Sequence, residues 1–186
     1  RKVSIIPRGM ALGVTLSAPD VEKSNYEEQY LLGRIKVALG GRVAEEIVYG
    51  TITAGAESDI QQLTAIARQM VGRWGMSKAI GPIAVLPSEG SGPLLPGVSE
   101  VSEATQRVLD EEVRRLVDTA HAEVTALLSE NREKLDSLTN ALLEAETLDE
   151  DDAYVAAGVE RDGREEAGPR SVAASDGAAS VPERRT

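Results

Sequence analysis

A long apolar stripe between Val101 and Asn131 constrains this chain more than any other feature. Leu109, Val113, Leu116, Val117, Ala120, Val124, Leu127 and Leu128 recur at helical spacing. Thirty residues of helix span roughly 45 Å at ~1.5 Å per residue. Propensity alone does not hold a helix of that length in water, so it must lie against a partner. Leu135, Leu138, Leu142 and Leu143 mark a second helix, expected to fold back as its antiparallel neighbour. Any core around such a pair is aliphatic, because the chain has no Phe and one Trp.

The rest of the chain reads as helical apart from its first sixteen residues. Lys2-Val3-Ser4-Ile5-Ile6 and Ala11-Leu12-Gly13-Val14-Thr15-Leu16 read as short strands about the turn Pro7-Arg8-Gly9. Ile83-Ala84-Val85-Leu86, between two prolines, is a weaker third strand candidate. Ser24 with Glu27 makes a capping box, followed by Leu31, Ile35, Ala38 and Leu39. Gly40-Gly41 is expected to end that helix and Arg42–Tyr49 to form another. A helix over Ser58–Trp74 carries Ile60, Leu63, Ala67, Met70, Val71 and Trp74 on one stripe. Residues 87–100 read as a Pro/Gly/Ser loop, and Thr147 with Glu150 as a capping box opening a last helix. The fold class is therefore mostly α, with a small sheet near the N-terminus and a long antiparallel helical pair on the C-terminal side. Residues 1–157 form the folded unit, its helical bundle spanning 101–157. Residues 158–186, with three valines and no other large apolar side chain, read as a disordered tail.

Composition excludes several functions. There are 31 acidic and 20 basic residues, a net charge of -11, which argues against a nucleic-acid partner. Cysteine is absent, so disulfide scaffolds, Cys-ligated zinc and thiol nucleophiles are out. No stretch of 18 apolar residues offers a transmembrane helix. No Gly-rich nucleotide fingerprint and no G-x-S-x-G elbow occurs.

Few side chains remain for chemistry. His121, the single histidine, reads as a surface or interface residue in mid-helix. Glu45 and Glu46 are adjacent, so they point in different directions from a helix and do not make a facing acid–base pair. At least one of them suits a solvated face or a salt bridge with Arg42. Asp59 falls in a first helical turn, at the edge of the stripe containing Leu63, Ile66 and Met70. On position alone it suits the helix macrodipole and a capping role as well as any chemistry.

Several segments in order resemble the C-terminal peptidase domain of the FtsH family, the membrane-anchored AAA+ zinc metalloproteases. They are Lys2–Gly9, Ala11–Thr15, Gly40–Glu46, Thr53–Ile60, Ala67–Val71 running into Trp74–Ser77, Asp110–Arg114 and Leu142–Leu148. The resemblance covers about residues 2–150 and implies a helical metallopeptidase domain. It also implies zinc held by two histidines of an H-E-x-x-H helix and by a later aspartate, onto which Asp59 falls. The strand Ala11, Leu12, Gly13, Val14 and Thr15 is implied to border the active site and to receive an extended polypeptide substrate. ATP would act in an upstream AAA+ module of the same polypeptide, with transmembrane segments beyond it, in a homo-hexamer on the cytoplasmic side of a bacterial membrane.

This chain has no H-E-x-x-H and begins at Arg1, where the family's motif lies a short distance upstream. The expectation is a piece of a longer protease, inactive by itself. The alternative is a non-catalytic helical oligomerisation module of a degenerate paralogue.

Overall fold

A computed structural model of the chain describes residues 2–7, 14–16, 26–86 and 101–160. The element order is β1 (Lys2–Ser4), β2 (Val14–Leu16), α1 (Glu28–Tyr49), α2 (Glu57–Gly72), α3 (Glu103–Glu130), α4 (Arg132–Ala145), β3 (Thr147–Asp149) and α5 (Glu150–Ala157). The chain is mostly helical with a small sheet, as the sequence implies. The expected loop at 87–100 and nearly all of the expected tail lie outside the described residues, as do Ala11, Leu12, Gly13 and Ser24.

Three helices build the core. Leu31, Ile35, Leu39 and Val43 of α1 are buried, each four residues from the last. They meet Leu63, Ala67, Met70 and Val71 of α2 and Leu109, Val113, Ala120 and Val124 of α3. The buried row of α1 crosses Gly40-Gly41 without a break, so the expected division into two helices is corrected. Two glycines cost a helix roughly 1 kcal/mol each, and burial of the flanking Leu39 and Val43 outweighs that. The helix ends instead at Gly50, whose left-handed φ of 66° closes it.

The partner of α3 also differs from expectation. Its apolar stripe packs on α1 and α2, whereas α4 packs chiefly on α5 and β3. The stripe is already covered, and no side chain of α4 is buried. The chain turns out of α3 at Asn131, whose side-chain amide donates to the Leu127 carbonyl at 2.9 Å.

The sheet has three strands in the order β2-β1-β3, all antiparallel neighbours. Its third strand is Thr147–Asp149, not Ile83–Leu86. The amides of Val85 and Leu86 donate instead to the Gly72 carbonyl, at 2.7 and 3.0 Å, and latch that segment onto the end of α2. With Thr147 in the sheet, the last helix is capped by Asp149, whose carboxylate accepts from the Asp152 amide at 3.0 Å. Among the described residues, no helix is long and apolar enough to cross a membrane.

Candidate functional site

Asp59 lies in the first turn of α2, half-buried at the head of the row that continues through the buried Leu63 and Met70. The helix begins at Glu57, and its N-cap residue, Ala56, supplies no side-chain cap. Among the described residues the Asp59 carboxylate has no hydrogen-bond or ion-pair partner. The capping role open to it on sequence grounds is therefore not the one it performs.

The turn that delivers Asp59 is held from α1. Thr53 donates its hydroxyl to the Glu45 carboxylate, 3.2 Å from Oε1 and 3.1 Å from Oε2. The same hydroxyl oxygen accepts from the Gly55 amide at 3.2 Å. That bond opens the 3-10 turn Ala54–Ala56 that runs directly into α2. Glu45 thus fixes where α2 starts, and with it the first turn containing Asp59. Nothing in the sequence spacing signals this link across eight residues.

Glu46 faces elsewhere, as adjacent helical positions must. Its Oε2 lies 2.9 Å from His121 Nε2, joining α1 to α3. The histidine is an interface residue, and Glu46 pairs with it rather than with Arg42. Among the described residues, no three His, Cys, Asp or Glu side chains gather as a metal site. A catalytic zinc needs three protein ligands and an open position, so the described residues do not assemble that set by themselves.

A second polar cluster was not signalled by any motif. Ser77, buried just past the end of α2, donates to Glu112 Oε2 at 2.7 Å and accepts from the Ala79 amide at 3.2 Å. Arg115 grips the same carboxylate from one turn further along α3, with Nε and Nη2 at 2.9 and 3.0 Å. Arg115 and then Ser77 hold the Glu112 carboxyl below the ordinary carboxylate range. The carboxylate accepts three hydrogen bonds within this cluster, which reads as a latch for the turn after α2.

β2, the described part of the strand expected to meet substrate, forms one edge of the sheet. Its register against β1 sets Val14 opposite Ser4 and Thr15 opposite Val3.

The sequence matches the model of peptidase family M41 over residues 1–155. It is 77% identical over 160 residues to the ATP-dependent zinc metalloprotease FtsH 3 of Conexibacter woesei, a match covering 86% of this chain and 21% of that protein. It is 51% identical over 152 residues to an ATP-dependent zinc metalloprotease FtsH of Thermobaculum terrenum, covering 80% of this chain and 24% of that protein. A like-named protein of Nitrosococcus oceani is 49% identical over 150 residues, 79% of this chain and 24% of its own length. The chain thus spans between a fifth and a quarter of these curated relatives. With nearly all of its described residues inside that match, the chain belongs to peptidase family M41, and its curated relatives carry the name FtsH.

Proposed function

We propose that this chain is the C-terminal part of an ATP-dependent zinc metalloprotease, and that Asp59 is its ligand to the catalytic metal. The observation that supports the assignment most directly is the idle carboxylate. Asp59 is half-buried, makes no hydrogen bond or ion pair among the described residues, and lies in the first turn of α2, just after the turn that Thr53 and Glu45 tie to α1. A partly buried carboxylate left unpaired is suited to a ligand set completed by other segments of the polypeptide. The remaining two ligands and the general base would come from an H-E-x-x-H helix upstream, which this chain lacks. Bound zinc would supply a water of lowered pKa and a polarised scissile carbonyl.

The strand Ala11–Thr15 would take the substrate as an added strand. Main-chain hydrogen bonds give affinity without demanding a sequence, which suits degradation of membrane and cytosolic polypeptides. The names of the relatives support zinc, ATP and proteolysis for the intact protein. Homo-hexameric assembly, an upstream AAA+ module and anchoring at the cytoplasmic face of a membrane extend the same reading. The chain alone is expected to be inactive.

The test uses the intact protein. Asp59→Ala should abolish proteolysis and lower bound zinc per subunit, while ATP hydrolysis persists. Full zinc occupancy in the Asp59→Ala protein would refute the ligand role.

A further inference from the structure

We propose that Thr147, in the strand between the last two helices, is a positioning residue for substrate. It would set the strand β2 on which the polypeptide is bound. The inference rests on the reading of β2 as the substrate strand.

Three-residue strands are short, and an isolated hairpin of two of them is marginal in water. β1 and β2 are such a pair. What secures them is the third strand on the far side of β1. Leu148 of β3 is buried and lies opposite Val3. Ser4 is the hinge of the arrangement, with Val14 of β2 opposite it on one side and Thr147 of β3 on the other. The Ser4 and Thr147 hydroxyls lie 2.8 Å apart. The Ser4 hydroxyl also reaches the Glu146 carbonyl at 3.3 Å and accepts from the Ile6 amide at 3.2 Å. The Ile5 amide donates to the Glu146 carbonyl at 3.0 Å.

The chain leaving β1 toward β2 is therefore pinned at one point, the junction of α4 and β3. That junction is itself fixed. Glu146 adopts a left-handed φ of 58°, and its amide closes α4 onto the Leu142 carbonyl at 2.8 Å. A peptide adding to the edge of β2 that is unpaired among the described residues needs that edge held still, because each main-chain bond depends on the alignment of the last. Side-chain hydroxyls two strands away thus bear on substrate affinity and on no step of the chemistry.

The experiment compares variants of the intact, ATP-supplied protease on a fluorescein-labelled unstructured polypeptide. Thr147→Val removes the hydroxyl with little change of shape. It should raise KM about three- to tenfold, the worth of one hydrogen bond, with kcat and ATP hydrolysis unchanged. Thr147→Ser should restore KM. A variant that only loosened the fold would lower the active fraction, and hence kcat, and the split separates the two. Proline at whichever of Val14 and Thr15 turns its N–H away from β1 tests the strand itself. If that proline raises KM and Thr147→Val does not, the positioning role is wrong while the substrate strand stands. If the proline leaves KM unchanged, the strand reading falls and this inference with it.

Discussion

Gly72→Ala should destabilise the fold, although the same exchange stabilises most helices. Gly72 is the last residue of α2, where that helix meets α3. A Cβ there would lie 2.6 Å from Leu109 Cδ1, 2.7 Å from Leu86 Cγ and 2.9 Å from Leu86 Cδ1. Carbon atoms pack best at about 3.5–4.0 Å, so the new methyl intrudes by about 1 Å on two side chains. Neither can retreat cheaply. Leu109 is 1% exposed within the core. Leu86 is clamped by its own amide to the Gly72 carbonyl, beside the bond from Val85. Overpacking of this kind costs about 1–3 kcal/mol. The gain in helix propensity offsets at most about 1 kcal/mol, less at a terminal position. The net loss is about 1–2 kcal/mol, or roughly 2–8 °C in Tm for a domain of this size. Gly41→Ala is the control. It lies in α1 with nothing within 4 Å of its would-be Cβ, so it should raise Tm. Thermal unfolding followed by circular dichroism reads both. If Gly72→Ala raises Tm as Gly41→Ala does, the close packing of Leu86 and Leu109 on α2 is wrong.

Two further outcomes follow from the side chains. Glu146→Gly should stabilise the fold by about 0.5–1 kcal/mol in urea unfolding, because glycine takes the left-handed φ of 58° without strain. Glu112→Gln should cost about 1 kcal/mol at neutral pH, discounted for the exposure of Arg115. The Glu112 carboxyl is held below its ordinary value of 4.5, chiefly by Arg115. Its contribution is therefore full above that value and is lost as the pH falls through the lowered one. Stability–pH curves of the native chain and Glu112→Gln should accordingly be separated at pH 7 and converge in acid.

The helices α2 and α3 were readable because their burial has a 3.6-residue period: every buried residue but Gly72 falls on the expected stripes, while Trp74, past the end of α2, and Leu127, expected on them, are exposed. The continuity of α1 was not, because a Gly-Gly pair carries a strong local signal against helix. Only the contacts of Leu39 and Val43 with other helices overrule it. β3 was hidden for a similar reason. Thr147 and Glu150 have the spacing of a capping box, but Thr147 is claimed by a strand lying at the other end of the sequence. The first-turn position of Asp59 was plain from periodicity, while its proposed role came from family resemblance. The link from Glu45 through Thr53 to the Gly55 amide is tertiary and leaves no pattern in the residues.

The sheet also dictates an order of events during synthesis. Ser4 and its hydroxyl partner Thr147 are 143 residues apart, so at about 5–20 residues per second a ribosome needs roughly 7–30 s to deliver the second after the first. The helical core is free to close meanwhile, since all of its buried residues precede Thr147. β1 waits through that interval with one edge unpaired, the kind of edge that recruits foreign strands. A nascent chain arrested before Thr147 can complete its core and still expose the pairing edge that aggregation exploits.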